Sequence, residues 1–176
     1  MSDTFITVIA IALAAVLMFV FPLMTISDRT DDVAQLSVET STTDFVDNIR
    51  STGKITKANY DKYLETITST GNTYNVEMEV QVKDENLGKK VSQAQADKIG
   101  ENVYYSVYTS QIEDKLNENN GNGTYYCKEG DLVSVSAKNT NQTIAQQLKN
   151  FFYTVTGNDS YTIAAEHAGI VTANGK

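Results

Sequence analysis

The stretch FITVIAIALAAVLMFVFPLMTI, residues 5–26, is the most hydrophobic run of the chain. It holds 22 residues and no charged side chain. As an α-helix, which rises about 1.5 Å per residue, it would be about 33 Å long, close to the roughly 30 Å hydrocarbon core of a bilayer. The run therefore predicts a helix that crosses a membrane.

The neighbouring residues favour a retained span over a cleaved secretory signal or a buried core helix. A signal has a basic region before it and a small-residue cleavage site after it. Here residues 1–4 contain no Lys or Arg, and Ala12, Ala14 and Ala15 lie in mid-run. The flanking positive charges, the free amine and Arg29, leave the orientation undecided. We expect the large polar part behind the span to lie outside the cell, as in a signal-anchor protein.

Residues 27–53, SDRTDDVAQLSVETSTTDFVDNIRSTG, predict that the same helix continues. Weakly apolar residues recur there at spacings of three and four, as on one helix face. These residues are Val33, Leu36, Thr40, Thr43, Val46 and Ile49. Gly53 supplies a stop. We expect one helix of about 70 Å, at about 1.5 Å per residue, whose second half lies against a globular head.

An uncharged helix that opens on Phe5, is rich in Ile, Ala, Leu and Val, and continues amphipathically into a small head resembles the type IV pilin superfamily, including Tad-type pilins and pseudopilins. Pro22 lies where many of these pilins carry a helix-loosening proline. Thr4 stands where the family's peptidase site has a small residue, usually Gly, and Ile9 stands where the family has a glutamate. The resemblance is one of architecture, and it implies a subunit that assembles through its N-terminal helix.

The head, residues 54–176, begins with a helix-to-strand unit. Thr56 can cap a helix that runs to about Ser69, and Thr70-Gly71-Asn72 then stops it. One face of this helix carries the apolar residues Tyr60, Tyr63, Leu64 and Ile67. In TYNVEMEVQVKD, residues 73–84, apolar and polar residues alternate, which predicts a half-buried strand. Its inward side chains would be Val76, Met78, Val80 and Val82.

A similar unit recurs near the C-terminus. Residues 139–141 offer caps for a helix over TIAQQLKNFFYTV, residues 143–155, with Ile144, Leu148, Phe151 and Phe152 apolar. Thr156-Gly157-Asn158 would close it, and SYTIAAEHAGIVTA, residues 160–173, would follow as a strand. Both units share the order helix, TGN, tyrosine (Tyr74 and Tyr161), strand, so we expect two equivalent corners.

The middle of the head admits two interpretations. Residues 84–95 read as a loop. In residues 101–120, Tyr104, Tyr108, Ile112 and Leu116 recur every four positions, which favours a helix, although the first eight residues could form a strand. Residues 119–123 predict a turn, and residues 124–139 a hairpin about Glu129-Gly130-Asp131.

The predicted fold class is therefore α+β: a long N-terminal helix and a head of three or four antiparallel strands packed with helices. The predicted segments are a transmembrane part at 1–26, an amphipathic spine at 27–53 and the head at 54–176.

Composition excludes several functions. With 14 Lys+Arg against 22 Asp+Glu, the net charge of −8 would repel a phosphate backbone, so we expect no nucleic-acid partner. The single cysteine, Cys127, excludes an intrachain disulfide and a thiolate metal cage. It reads as a buried thiol.

Possible catalytic and metal-binding residues also have structural explanations. His167 beside Glu166 has no accompanying nucleophile motif, and it would share the inward face of the last strand with Ile163 and Ala165. Glu77 and Glu79 share one strand face with Gln81 and Lys83, which indicates a solvated face and not a pair of catalytic acids. In residues 117–124, NENNGNGT, Glu118 is the lone carboxylate, too few for calcium. We nominate no catalytic, cofactor or metal residue, and we expect no enzyme activity.

The sequence thus favours a single-pass bacterial cell-membrane protein with its head outside, a pilin-like structural subunit of a filament. Small residues in the helix would allow close packing. The nominated assembly residues are Phe5, Ala10, Ala12, Ala14, Ala15 and Pro22. The alternative is an anchored accessory subunit of a cell-envelope secretion or conjugation machine, which binds a protein through its head. Tyr105 is the candidate interface residue, because Tyr104 and Tyr108 would face the core if this segment were a helix.

Overall fold

A computed structural model describes residues 2–84, 104–118, 123–143, 146–147 and 162–176 of the chain. The described elements, in chain order, are α1 (Ser2–Thr52), β1 (Lys54–Thr56), α2 (Lys57–Thr68), β2 (Tyr74–Lys83), β3 (Tyr104–Tyr108), α3 (Thr109–Asn117), β4 (Thr124–Tyr126), β5 (Leu132–Asn139) and β6 (Ala164–Ile170). The predicted loop at 84–95 lies outside the described residues except for Asp84. So does most of the second helix-to-strand unit, residues 144–145 and 148–161, which includes its TGN corner.

The first element is a single helix of 51 residues. It runs through Pro22, whose missing N–H removes only one hydrogen bond of the ladder. It ends at Gly53, which adopts φ +66° and donates its N–H to the Ile49 carbonyl. The predicted long helix and its glycine stop are confirmed.

The described strands form two antiparallel sheets, and the α+β prediction is confirmed. The larger sheet has the order β3-β2-β5-β6. The second pairs β1 with β4, with Ile55 opposite Tyr125. This second sheet corrects the predicted hairpin at 124–139. Gly130 does form a turn at φ +93°, but the two strands that flank it belong to different sheets.

The first helix-to-strand unit forms as predicted. The Thr56 hydroxyl accepts a hydrogen bond from the Asn59 backbone N–H, and α2 buries Tyr60, Tyr63 and Ile67. Gly71 follows at φ +84°, and β2 buries Met78 and Val80 while its other face is polar.

One core lies between the inner face of the larger sheet and the helices. The second half of α1 packs against β5 and β6, and α2 runs antiparallel to α1 beside it. Phe45 of α1 stacks on Tyr63 of α2 with ring centroids 4.6 Å apart. The largest fully buried side chains are Val38, Val46, Ile49, Ile55, Ile67, Met78, Val80, Ile112, Val133, Val135, Ile163 and Val171.

The face of α1 that packs on the head differs from the predicted one. Val33 and Leu36 are 69% and 64% exposed, and Thr40 is also exposed. The predicted positions advance by an average of 3.2 residues per step, less than the 3.6 residues of a helical turn, so Val33 and Ile49 lie about 160° apart around the helix. The buried positions keep the helical period; they are Asp31, Ala34, Val38, Thr42, Phe45, Val46 and Ile49.

The segment around Tyr104 is also corrected. Residues 104–108 form a strand and residues 109–117 a helix, so the continuous helix was wrong and the strand alternative was right. Tyr104 and Tyr108 are exposed, whereas Ile112 and Leu116 are buried. A spacing of four fits both periods, because four residues are two strand repeats and about one helical turn.

Candidate functional site

The candidate site is the N-terminal half of α1, which carries a large exposed apolar surface. Thirteen large apolar side chains between Phe5 and Ile26 keep 47–74% of their surface exposed. No described residue of the head covers this half of the helix. By length and composition, α1 is the one described helix able to cross a membrane. Apolar surface of this extent is normally covered by lipid or by other protein.

The nominated alanines form two pairs on this surface, and all four are exposed. At about 100° per residue, Ala10 and Ala14 lie on one side of the helix and Ala12 and Ala15 on roughly the opposite side. Each pair leaves a shallow place where another helix can approach closely. Phe5 is 68% exposed at the start of the run, and Pro22 is exposed near its end. Their role in assembly stays a prediction.

The exposed surface continues beyond the uncharged run. Val33 and Leu36 lie on the side of α1 away from the head and leave an apolar strip beside it. One helix therefore presents apolar groups from Phe5 to Leu36, a length of about 47 Å at about 1.5 Å per residue, which exceeds a hydrocarbon core of about 30 Å.

The head holds α1 near the end of the run through two polar contacts. The Gln35 amide pairs with both backbone groups of Ala164: Nε2 donates to the carbonyl at 2.7 Å and Oε1 accepts from the N–H at 3.0 Å. The buried Asp31 carboxylate accepts a hydrogen bond from the Thr143 hydroxyl at 2.8 Å. Thr143 and Gln146 also form a reciprocal capping box, in which the Thr143 N–H donates to Gln146 Oε1 and the Gln146 N–H donates to the Thr143 hydroxyl.

At its other end, α1 is held by the C-terminal segment. Arg50 Nε donates to the Ile170 carbonyl, and the Arg50 carbonyl accepts from the Thr172 N–H. Gly53 and Gly175 meet at their backbones, and Cys127 bridges them, donating its N–H to Gly53 and accepting from Gly175. The helix and the head are therefore joined along the whole length of the head.

Other sequence candidates have structural partners. His167 is on the inner sheet face as predicted, opposite Val135, with Nε2 3.9 Å from the Asp47 carboxylate. Glu79 accepts hydrogen bonds from Gln81 and Ser106 on the outer face. Among the described residues, no three metal-ligating side chains converge.

The exposed tyrosines mark a second surface. Tyr105 is 57% and Tyr108 58% exposed on β3, an edge strand that pairs with β2 alone among the described strands. Tyr104 and Tyr108 share the outer sheet face. An open depression of about 560 Å³ lies there, and it is lined by Tyr108, the carboxylates Glu77, Glu79 and Glu166, and the serines Ser134 and Ser136. The predicted core placement of Tyr104 and Tyr108 is wrong, and the role of Tyr105 stays a prediction.

Cys127 is buried as predicted. Burial, and then the nearby Asp131 carboxylate, raise the pKa of its thiol from 9.0 to about 12. Burial also raises the pKa of Tyr125 to about 12. In the unfolded chain these groups ionise near their ordinary values, so the unfolded state releases protons first as the pH rises.

We therefore expect the free energy of unfolding to be constant near pH 8 and to fall as pH rises above about 9, toward 12. Denaturant unfolding at pH 8, 9, 10 and 11 measures it, since the buried Cys127 thiol contributes up to about 1.4 kcal/mol per pH unit in that window and the partly exposed Tyr125 contributes less. The Cys127→Ala variant should lose less stability over the same range. A flat profile from pH 8 to 11 would contradict the assignment, as would rapid labelling of Cys127 by thiol reagents in the folded protein at pH 8.

Comparison with protein-family models, with curated protein sequences and with solved structures gives no match for this chain.

Proposed function

We propose that this protein is a single-pass, surface-exposed structural subunit that assembles with other copies through its N-terminal helix, in the manner of a pilin. The observation that carries the proposal is the form of α1. It has an uncovered apolar half with no charge from residue 5 to residue 26, and it continues without a break into the core of the head. Lipid would cover this half before assembly, and neighbouring helices would cover it afterwards.

Two features support a filament subunit over a plain membrane anchor. A plain anchor needs only the bilayer thickness, whereas two further exposed apolar residues, Val33 and Leu36, lie beside the head beyond the polar residues 27–32. The two alanine pairs lie on roughly opposite sides of the helix, so each helix can pack against two neighbours, and repeated contacts of that kind are open-ended.

The test is cross-linking of the full-length chain in membranes, with electron microscopy of any filaments. The variant Ala10→Leu/Ala14→Leu fills one shallow side while it keeps helix propensity and hydrophobicity. Overpacking of about 1–3 kcal/mol predicts that the association constant falls by about five-fold to one hundred-fold. Ala58→Leu on the exposed face of α2 and Val16→Leu within the run are the controls, and both should oligomerise like the wild type.

A protein that stays monomeric in membranes at every concentration would reject assembly through the helix. Equal oligomer yields from the alanine double variant and from Val16→Leu would reject the alanine contacts but not the span.

A second candidate function is supported by the surface of the head. The exposed tyrosines of β3, next to the outer depression, are typical of a protein-binding surface. The protein would then be an anchored accessory subunit of a cell-envelope secretion or conjugation machine. Co-purification with a membrane complex, lost in Tyr108→Ala but kept in the exposed-tyrosine control Tyr126→Ala, would favour this function if no filament forms.

A further inference from the structure

We propose that the end of the head nearest the apolar run is a membrane-contact surface, which rests on the neutral headgroup layer of the bilayer. The inference rests on the proposed function, because it requires the N-terminal half of α1 to span. The surface, called here the membrane rim, consists of residues 69–74 and 139–143.

The directions of α2, β2 and β5 place the rim at the end of the head nearest the apolar run. Because α2 runs antiparallel to α1, with Asn59 on Asn48 and Tyr63 on Thr42, its last turn points toward the apolar run. β2 starts there at Tyr74, and β5 ends there at Asn139, opposite Tyr74.

The height of the rim follows from the helix geometry. Asp31, which binds Thr143, lies five residues beyond Ile26, about 8 Å along a helix that rises about 1.5 Å per residue. The headgroup region adds about 5–8 Å to each side of the hydrocarbon core. If the apolar run fills the core, the rim lies at the outer boundary of the headgroups.

The chemistry of the rim suits that position. Its sequences, STGNTY and NTNQT, contain no charged residue, in a chain of net charge −8. The opposite end of the head carries Lys54, Lys83 and Glu129. Neutral hydroxyl and amide groups can hydrogen-bond to phosphate and ester oxygens without the cost of desolvating a charge. The charged residues at this level, Asp28, Arg29, Asp31 and Asp32, belong to α1 and not to the rim.

The rim is rigid, because its side chains bind one another. The Thr73 N–H donates to Asn141 Oδ1 at 2.8 Å, and Asn141 Nδ2 donates to Asn72 Oδ1 at 3.2 Å. The Thr140 N–H donates to the Thr73 carbonyl. The corner at Gly71 and the end of β5 are thereby joined in one uncharged surface, and Ser69, Gly71, Thr73, Thr140 and Gln142 remain exposed on it.

The experiment measures the depth of fluorescent probes on the full-length chain in phosphatidylcholine vesicles. Single cysteines are introduced at the rim (Ser69→Cys, Gln142→Cys), at the far end of the head (Glu129→Cys) and in the span (Ala14→Cys), and are labelled with an environment-sensitive dye. Wild-type protein controls for labelling of the buried Cys127. Nitroxide quenchers are placed on the lipid headgroup or on the acyl chain, in both leaflets, so the result does not depend on orientation.

We expect the headgroup nitroxide to quench the two rim probes several-fold more than the Glu129→Cys probe, which lies about 30 Å farther away along the 21 residues from Asp31 to Thr52. The acyl-chain nitroxide should quench the Ala14→Cys probe. Rim probes no more quenched than the Glu129→Cys probe, with Ala14→Cys quenched, would overturn the membrane rim and leave the span standing. An unquenched Ala14→Cys probe would overturn the span and the rim together.

Discussion

Gly53→Ala is expected to lower the free energy of unfolding of the head by about 3–5 kcal/mol. Two costs add at this position. A non-glycine residue at φ +66° pays about 1–2 kcal/mol for the left-handed backbone. The new Cβ would also lie 2.4 Å from the Ala173 carbonyl oxygen and 2.5 Å from the Gly175 nitrogen, a backbone clash in a region that cannot relax by turning a side chain.

The matched control is Gly71→Ala. Gly71 has a similar backbone angle, φ +84°, but nothing lies within 4 Å of a Cβ built there. It should therefore lose only about 1–2 kcal/mol. Denaturant unfolding of the full chain in detergent, followed by tyrosine near-ultraviolet circular dichroism, compares the two. Equal losses would show that the C-terminal segment does not press against Gly53.

Phe45→Ala should destabilise the head by about 3–5 kcal/mol, because a fully packed aromatic ring is removed. Phe45 is 5% exposed and stacks on Tyr63 at an interplanar angle of 2°, with Tyr60 at 6.2 Å on centroids. These three rings join α1 to α2, so the loss of the Phe45 ring loosens the contact between these two helices.

Leu36→Ala is the control for this change. Leu36 is on the same helix and is 64% exposed, so its truncation should change head stability by no more than about 0.5 kcal/mol. The pair of variants also compares the two possible packing faces of α1. A loss on Leu36→Ala as large as that on Phe45→Ala would support the face predicted from sequence spacing and contradict the observed one.

Some of the fold could be predicted because it depends on residues that are close together in the sequence. The Thr56 cap, the apolar face of α2, the stop at Gly71 and the alternation of β2 each depend on residues within one turn or one strand. The long helix is similar, since an uncharged run and a terminal glycine define its start and end. Local propensity and tertiary structure agree at these places.

Other parts depend on contacts between distant residues. The amide of Gln35 meets Ala164 across 129 positions, and nothing near Gln35 indicates that partner. The buried face of α1 includes Asp31 and Thr42, polar residues whose burial depends on Thr143 and Tyr63. A search for apolar residues at spacings of three and four leaves out Asp31 and Thr42 and includes the exposed Val33 and Leu36.

The tyrosine segment shows how a single pattern can mislead. The spacing of four from Tyr104 to Leu116 crosses the boundary between β3 and α3, where the Tyr108 N–H is capped by the Gln111 side chain. That capping contact could have located the boundary, because a glutamine at the third helical position often bonds back to the cap residue.

The way α1 lies along the head has a mechanical consequence. A pull on the N-terminal half enters the head at Asp31 and Gln35 and leaves it at Arg50 and Gly53. Because the helix runs beside β6 over this distance, a pull along the helix axis loads the contacts between them in shear. These contacts must then break together and not one after another. Resistance of this kind depends on the unfolding rate more than on the equilibrium stability. Because the second half of α1 packs along the head, we expect the head to resist tension applied through the N-terminal half of the helix.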